Sequence, residues 1–465
     1  MEGVLLTRGF LLVTAMLSGT FAAGSAFAGQ SAASQSTAEL TRRAALGVAL
    51  ENTSDGPKVT TVTPQLTAAL AGVEPGDIIL SLNGKVTKTS SELVAAAGLL
   101  RAGDMATLTI QRGTGTKTVT AKATARPLES IPSADVRYGT VAFKDGRLRD
   151  ILVTPKDAAP GAPVVFLIQG YGCGSVEGPP THPYHLLAKT LAEAGIGSYR
   201  IEKLGMGDSL TNTPCLKTDF ALEMEGFESA YQALIKDRGI SPDRIIILGH
   251  SMGGIQAPLV AAKGPAPRGV MVYGTALRNW QDYMQELFAM QGFLSAGADP
   301  AEAEQAAKAF RPLMQRVFNE DVSLKTIASE NPNHEAMLRS AFDWDGDDLI
   351  LGRSLAYWRG VAAQDTVAAW RDTKAPVLAV YGEADFAAID ERDHKRIVDV
   401  VNFYRPGTAT YRFLPLTGHG FDIQASRDAV RAANQAGKPV TVAPYNPELT
   451  KMMAAWINEL PAKAK

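Results

Sequence analysis

The sequence has little cysteine, little histidine and almost no net charge. Its 465 residues include only two cysteines, Cys173 and Cys215, and six histidines. These residues are too few and too scattered for a structural zinc site, which needs closely spaced thiolate and imidazole ligands, so we expect no metal and no other cofactor. The formal net charge of −2 argues against a nucleic-acid-binding protein, because such proteins carry a basic stripe.

Long apolar runs are also missing. The run over residues 9–17 follows Arg8 and leads into small residues that end with Ala-Phe-Ala at 26–28. It is shorter than the roughly 20 apolar residues that cross a bilayer. A charged residue, an apolar run and an Ala-x-Ala end are typical of a secretory signal peptide. We therefore predict that residues 1–28 are cleaved off, that the protein is exported to the periplasm or beyond in a bacterium, and that the mature chain has no membrane span. A buried N-terminal helix is the alternative.

A compact block over residues 42–126 follows a Ser-, Ala- and Gln-rich leader at 29–41. Short alternating strands, a Glu-Pro-Gly-Asp turn at 74–77 and a helix capped by Ser90 predict a small α+β domain. The block resembles the PDZ domains of bacterial periplasmic proteases in residues 45–48 and 71–84. The resemblance implies that a peptide terminus binds by strand addition, with its carboxylate at the loop residues Ala45, Leu46, Gly47 and Val48. The alternative is an unused groove in a domain that only packs on its neighbour.

Strands alternate with helices from residue 138 to the end, after a linker predicted over residues 127–137 from its two prolines. This alternation is typical of an α/β fold with a mostly parallel sheet. The predicted buried strands are continuous apolar runs, at residues 164–168, 245–248, 270–273 and 377–381. Helix-like sequence rich in Ala, Met and Trp interrupts the alternation over residues 277–372 and predicts an inserted helical cap.

A Gly-His-Ser-Met-Gly motif occupies residues 249–253, directly between an apolar strand and a helix-like segment. This context is that of a nucleophile elbow, a tight turn that exposes the serine hydroxyl. Ser251 is therefore the predicted nucleophile. The start of the following helix would direct its free N–H groups, including that of Met252, at a developing oxyanion.

An acid and a histidine follow Ser251 in the order expected for a catalytic triad. Asp385 lies just past a predicted strand, and His419 lies in the loop after the last one. His419 would accept the proton of Ser251, while Asp385 would orient and stabilise the imidazole. Glu383 and Asp422 are the alternatives for the acid.

The oxyanion hole needs a second N–H, from the loop after the strand that ends at Ile168. Here the loop begins Gln-Gly-Tyr-Gly-Cys, and the donor would be the backbone of Tyr171. With these motifs, residues 138–465 resemble a cap-bearing α/β-hydrolase of the esterase and acyl-peptidase type, although Gln169 stands where many such enzymes have histidine. Cys173 and Cys215 both follow strands at the same sheet edge. An oxidising compartment permits one disulfide between them, which would hold the oxyanion loop; the alternative is two inert thiols.

The resemblance implies hydrolysis of a carboxylic ester or amide through an acyl-serine. We predict an exported serine hydrolase that cleaves small esters or acyl compounds, with a PDZ domain that binds peptide termini or a partner. Aromatic residues of the cap and one methionine would wall an acyl or aromatic pocket or form the core of the cap: Trp280, Tyr283, Met284, Phe288, Phe293, Trp344, Tyr357 and Trp358. The alternatives are a serine peptidase of the acylaminoacyl type that captures peptides through the PDZ domain and, in another class, an inactive PDZ-based scaffold.

Overall fold

The computed structural model describes residues 40–144, 146–296, 298–437 and 443–460, and the side chains of 293–297 are not among the described parts. The predicted signal peptide and residues 29–39 of the predicted leader lie outside these ranges. The chain forms two compact units, one ending at Leu128 and the other beginning at Glu129. Within the described ranges, every helix is either too short or too polar to cross a membrane.

The first unit is an antiparallel sheet with two helices. Its elements are β1 (Val48–Thr53), β2 (Gly56–Val62), α1 (Thr67–Leu70), β3 (Ile78–Leu82), β4 (Lys85–Val86), α2 (Ser90–Ala97), β5 (Met105–Arg112) and β6 (Gly115–Lys122). The strands run in the order β1-β2-β3-β5-β6, and β4 pairs with β3. Strand β1 therefore lies at an edge of the sheet.

Helix α2 begins one residue earlier than the sequence predicts, because Thr89 rather than Ser90 is its N-cap. The Thr89 hydroxyl accepts a hydrogen bond from the Glu92 N–H (3.2 Å), and the Glu92 carboxylate accepts one in return from the Thr89 N–H (3.3 Å). This reciprocal pair is a capping box. The start of α2 also touches the edge strand, since Ser90 N–H donates to Asn52 Oδ1 at 2.7 Å.

The second unit contains one eight-stranded sheet, in the order β16-β15-β12-β11-β9-β10-β8-β7. Its strands are β7 (Ala134–Phe143), β8 (Gly146–Pro155), β9 (Val164–Ile168), β10 (Gly197–Ile201), β11 (Ile245–His250), β12 (Gly269–Tyr273), β15 (Val377–Ala384) and β16 (Ala409–Gly418). The six strands from β16 to β10 are parallel, and β8 and β7 are antiparallel. The predicted α/β class is confirmed.

Helices cover both faces of this sheet. They are α3 (Pro183–Glu193), α4 (Phe220–Lys236), α5 (Gly253–Lys263), α12 (Arg392–Tyr404), α13 (Arg427–Gln435) and α14 (Pro447–Glu459). Side chains alternate along a strand, so β9 contributes to two cores. Phe166 packs with α4 and α5 on one face, whereas Val165 and Leu167 pack with α3 and α14 on the other. Burial on both faces explains why these strands are continuously apolar.

The predicted cap consists of helices between β12 and β15. They are α6 (Trp280–Ala296), α7 (Pro300–Asn319), α8 (Leu324–Glu330), α9 (Pro332–Ala341), α10 (Leu355–Ala362) and α11 (Thr366–Asp372), with a small hairpin of β13 (Leu349–Ile350) and β14 (Arg353–Ser354). Of the aromatic residues that the sequence places here, the side chain of Phe293 lies outside the described parts.

Most of the predicted linker, residues 127–137, belongs to the second unit, which begins at Glu129. Strand β7 begins at Ala134, inside residues 127–137, and Ala134 pairs with Pro155. Ile131 and Ala134 are buried against Ala188 and Ala192 of α3. Prolines in the segment suggest a linker, but this small apolar cluster attaches its second half to the second unit.

Candidate active site

Ser251 occupies a strained turn between β11 and α5. Its φ is +56°, a left-handed conformation that is uncommon for a residue with a side chain. Its N–H donates to the Tyr273 carbonyl at 2.9 Å. A Cβ at Gly249 would lie 2.3 Å from Gly253 O, and one at Gly253 would lie 2.0 Å from Ile168 O. Only glycine fits these two positions, so the motif residues permit the close approach of β9, β11 and α5.

The predicted acid and histidine meet at the same edge of the sheet. Asp385 directly follows β15 and is fully buried, and His419 directly follows β16. Nδ1 of His419 lies 2.9 Å from each carboxylate oxygen of Asp385. The Ala388 N–H also donates to Asp385 at 2.9 Å. The carboxylate is thus held in place on one side while it orients the imidazole on the other.

The two alternative acids have other partners. Glu383 accepts hydrogen bonds from the backbone N–H of Leu416 at 2.8 Å and of Arg427 at 3.3 Å. Asp422 accepts one from the side chain of Gln424. In the structure, His419 is therefore paired with Asp385, whereas Glu383 binds the backbone at the end of β16 and at the start of α13.

The pKa values of the pair move apart. Burial by itself raises the pKa of Asp385, but the charge of His419 and hydrogen bonds from His419 and Ala388 outweigh burial and lower it. Burial lowers the pKa of His419, but the charge and hydrogen bond of Asp385 outweigh that effect and raise it. Asp385 therefore stabilises the imidazolium that would form when His419 accepts a proton.

A narrow pocket of about 40 Å³ opens onto Ser251 and His419. Most of its lining residues are apolar or aromatic, and the full set is Tyr171, Ser251, Met252, Ile255, Gly274, Thr275, Ala276, Trp280, Tyr283, Leu351, Trp358, Ala387 and His419. Trp280 stacks on Trp358 with ring centres 5.2 Å apart and on Tyr283 at 4.9 Å. Of the aromatic cap residues from the sequence, these three line the pocket. The others with described side chains are buried: Met284, Phe288, Trp344 and Tyr357.

The two predicted oxyanion donors flank the nucleophile. Tyr171 and Met252 both line the pocket, and Met252 is the residue before α5, so its N–H lies at a helix start. The loop after β9 passes close over Ser251, since a Cβ at Gly170 would lie 3.2 Å from Ser251 Cβ. Cys173 of this loop is bonded to Cys215, with an S–S distance of 2.02 Å and Cα atoms 5.7 Å apart. The disulfide thus ties the predicted oxyanion loop to the short helix Cys215–Lys217.

Two further histidines lie beside the predicted triad, and the sequence gives no reason to select them. His250 forms hydrogen bonds to the His419 carbonyl and to the Tyr184 hydroxyl, both at 2.8 Å. His394 accepts a hydrogen bond from the Thr275 N–H at 3.2 Å. Burial lowers the pKa of His250 to about 3 and that of His394 to about 4. Both are therefore neutral near pH 7 and act as fixed supports of the loops that carry the triad.

The loop assigned to peptide binding in the first unit is built by backbone contacts. Gly47 has a φ of +75°, and a Cβ there would lie 2.5 Å from Leu66 Cβ. The Ala68 N–H donates to the Leu46 carbonyl at 2.9 Å, and the Thr67 hydroxyl donates to the Ala45 carbonyl at 2.6 Å. Val48 begins the edge strand β1.

Comparison with known families adds to this geometry. A model of the alpha/beta hydrolase family matches residues 159–433, more than half of the chain. The chain belongs to the alpha/beta hydrolase family. A PDZ domain model matches residues 44–123 of this hydrolase, so both predicted resemblances are confirmed. With Ser251 at the elbow, the family assigns the protein to the serine hydrolases. No curated protein matches the sequence.

Several solved structures are similar to this hydrolase at low sequence identity and with TM-scores below 0.5. Proline iminopeptidase from Mycobacterium smegmatis is 19% identical, covering 70% of this chain and 98% of its own, with a TM-score of 0.41. Est1E from Butyrivibrio proteoclasticus is 16% identical, covering 64% and 96%, with a TM-score of 0.39. The acylaminoacyl peptidase from Pyrococcus horikoshii is 12% identical, covering 77% and 46%, with a TM-score of 0.42. Likeness at this level carries no argument about substrate.

The described part of this hydrolase contains no group of three or more His, Cys, Asp or Glu side chains placed to hold a metal ion.

Proposed function

We propose that this alpha/beta hydrolase cleaves carboxylic esters of small, uncharged acyl groups through an acyl-Ser251 intermediate. His419 accepts the hydroxyl proton as Ser251 Oγ bonds to the carbonyl carbon. The resulting oxyanion is held by the N–H groups of Tyr171 and Met252. Collapse expels the alcohol, which takes the proton from His419. Water then gives a proton to His419 and attacks the carbonyl carbon of the acyl-serine. The carboxylic acid leaves, and the Ser251 oxygen takes the proton back from His419.

One observation carries this proposal. Ser251, a half-buried residue in left-handed conformation, lines the same pocket as an imidazole that is already bound to a buried carboxylate. A structural hydrogen-bond network gives no reason to hold Ser251 at a φ of +56°. Such backbone strain at a residue that lines a pocket is typical of functional sites.

The pocket supports the choice of acyl group. Its free volume of about 40 Å³ accommodates only a few water molecules, because one water needs about 10–15 Å³ on this measure. Among its lining residues, His419 is the only one with a readily ionised side chain. A charged acyl group would lose its hydration there without a partner, at high cost in free energy. Short-chain acyl groups are therefore the favoured substrates.

A comparison of Ser251→Ala with the wild-type protein tests this proposal. We expect a fluorophosphonate to label only the wild type, and acetyl or propionyl aryl esters to be cleaved faster than octanoyl esters. Asp385→Asn and its matched control Glu383→Gln test the acid, and only the former should lose activity. Equal labelling of Ser251→Ala would exclude Ser251 as the nucleophile.

A serine peptidase is the second candidate, and the edge strand β1 favours it. A peptide added to β1 would lie beside α2, with its carboxylate near Gly47, as strand addition requires. The full chain and a variant lacking residues 40–128 should each be assayed with peptide amides and with aryl esters. Cleavage of amides alone, lost on deletion, would support the peptidase. Peptide binding without any hydrolysis would support the inactive scaffold.

Export is part of the same proposal. The Cys173–Cys215 disulfide supports an oxidising compartment, because the bacterial cytoplasm keeps thiols reduced. N-terminal sequencing of protein recovered from a periplasmic extract should begin at Gly29. An N-terminus at Met1 in the cytoplasmic fraction would contradict export.

A further inference from the structure

Two buried cations hold the carbonyl oxygens of the loop after β9. Lys203 Nζ donates to the Gly170 carbonyl at 2.6 Å. Arg353 Nη1 donates to the Tyr171 carbonyl, also at 2.6 Å. Both side chains are almost completely excluded from solvent, with exposed fractions of 1% and 0%. These contacts are short and charge-assisted, so they belong to the stronger class of hydrogen bonds.

One carboxylate joins the two cations. Glu223 of α4 is ion-paired to Lys203 at 3.2 Å and to Arg353 at 2.8 Å. Its Oε1 also accepts a hydrogen bond from Gln256 of α5 at 3.0 Å. The Arg353 guanidinium lies 3.7 Å from the centre of the Tyr357 ring. The network therefore connects the oxyanion loop, the helix behind Ser251 and the hairpin of the cap.

The charges of this network are kept despite burial. Burial raises the pKa of Glu223, but Arg353 and Lys203 outweigh it and lower the pKa. Burial and Arg353 lower the pKa of Lys203 to about 8, against the pull of Glu223. Lys203 is thus still protonated near pH 7. Two cations share one carboxylate, and the two loop carbonyls and the Thr218 carbonyl, 3.3 Å from Arg353, supply further acceptors that buried charges need.

Peptide geometry links these contacts to catalysis. In a trans peptide the carbonyl of one residue and the N–H of the next point in opposite directions. The structure has no cis bond in its described part. Lys203, by binding the Gly170 carbonyl, therefore fixes the opposite direction of the Tyr171 N–H, the predicted oxyanion donor. Arg353 fixes the next peptide plane in the same way.

We propose that Lys203 and Arg353, joined by Glu223, are positioning residues that aim the Tyr171 N–H into the oxyanion hole. This inference rests on the proposed acyl-serine function. Because Arg353 belongs to the cap, the geometry of the oxyanion hole depends on how the cap packs against the loop after β9. Neither residue touches the substrate; both act through the loop backbone.

The variants Lys203→Met and Arg353→Met test this inference, with Arg268→Met as the matched control. Arg268 also donates to two carbonyls, of Ile457 at 3.1 Å and Leu460 at 3.3 Å, but it precedes β12 and so lies at the opposite edge of the sheet from Ser251. For each variant and the wild type, the kcat and KM for an aryl ester, the thermal midpoint and the rate of Ser251 phosphonylation by a fluorophosphonate are measured. The P=O oxygen of the fluorophosphonate also occupies the oxyanion hole.

A misdirected Tyr171 N–H should lower kcat and the phosphonylation rate by about 10- to 100-fold, since the loss of a whole oxyanion-hole donor lowers kcat by about 100- to 1,000-fold. KM should change little, because the interaction develops in the transition state. Arg268→Met should keep the wild-type kcat. Wild-type rates in Lys203→Met and Arg353→Met, or an equal fall in Arg268→Met, would overturn the inference.

Variants that fail to fold do not end the test, because Arg353→Lys keeps the buried charge. One ammonium cannot reproduce the fork that reaches both Glu223 and Tyr171, so kcat should fall with KM retained, and a wild-type kcat would contradict us. Phosphonylation separates the two proposals. A labelled wild type with unaltered variants refutes only the positioning role, whereas an unlabelled, inactive wild type refutes the function and the positioning role together.

Discussion

Removal of the Cys173–Cys215 disulfide should destabilise the hydrolase unit by a calculable amount. The two residues are 42 positions apart in the chain. In the chain-entropy description, a loop of this length restricts the unfolded ensemble by about 4 kcal/mol at 25 °C. The variant Cys173→Ala/Cys215→Ala tests this, because it removes both sulfurs and leaves no free thiol.

Tryptophan fluorescence gives the required selectivity. All five tryptophans lie between residues 280 and 456, so the signal reports the hydrolase unit alone. With a urea m-value of about 3 kcal/mol/M for a unit of this size, the urea midpoint should fall by about 1.3 M. Wild-type protein unfolded in a thiol reductant serves as the control and should match the double variant.

Activity gives a second test of the same bond. Cys173 lies two residues beyond Tyr171, so a looser loop should lower kcat more than it changes KM. Unchanged urea midpoints in both the double variant and the reduced wild type would refute this reasoning. Such a result would mean that the loop is already restricted by its other contacts in the unfolded chain.

Three further predictions concern the triad and its surroundings. Gly274→Ala should lower kcat by about 100-fold, because its Cβ would lie 2.5 Å from Asp385 Oδ2 at a φ of +65°; circular dichroism would check that the fold survives. Asp385 raises the pKa of His419 above 6.5, and His419 must be neutral to act as the base. In a pH–rate profile, kcat/KM should therefore rise as the pH increases through that raised pKa. In Asp385→Asn the same rise should occur at lower pH. His250 and His394 have pKa values of about 3 and 4 in the folded protein and of about 6.5 in the unfolded chain. At a pH between these values, both bind protons in the unfolded chain but not in the folded protein. The free energy of unfolding should therefore fall as the pH is lowered from about 7 to about 5. Urea titrations at the two pH values measure that fall, and His250→Asn should reduce it.

Local patterns were sufficient for much of the fold. The apolar run 164–168 becomes β9 with the same bounds, because a central strand is buried on both faces and tolerates no polar residue. The linker was less predictable. Proline content suggests a break over 127–137, yet contacts of Ile131 and Ala134 with α3 fold the end of that segment into the hydrolase unit. Such contacts come from distant sequence, which a local pattern does not contain.

The candidate site divides in the same way. Ser251, Asp385 and His419 each follow an apolar strand, and parallel strands place their carboxyl ends at one edge, so sequence order alone predicts their meeting. The choice of Asp385 over Glu383 rested on its place in the loop. The structure supplies the physical difference, since Glu383 is bound to the Leu416 N–H and Asp385 to the His419 imidazole.

The sequence by itself determined the two domain families, the nucleophile turn and the order of the triad, because each depends on residues that are close together or on strand order. Only the tertiary structure decided the small pocket volume and the Lys203–Glu223–Arg353 network. Residues 203, 223 and 353 stand in a loop, a helix and an inserted hairpin with no shared pattern. Their charges become neighbours only when the cap and the sheet pack together and bury all three side chains.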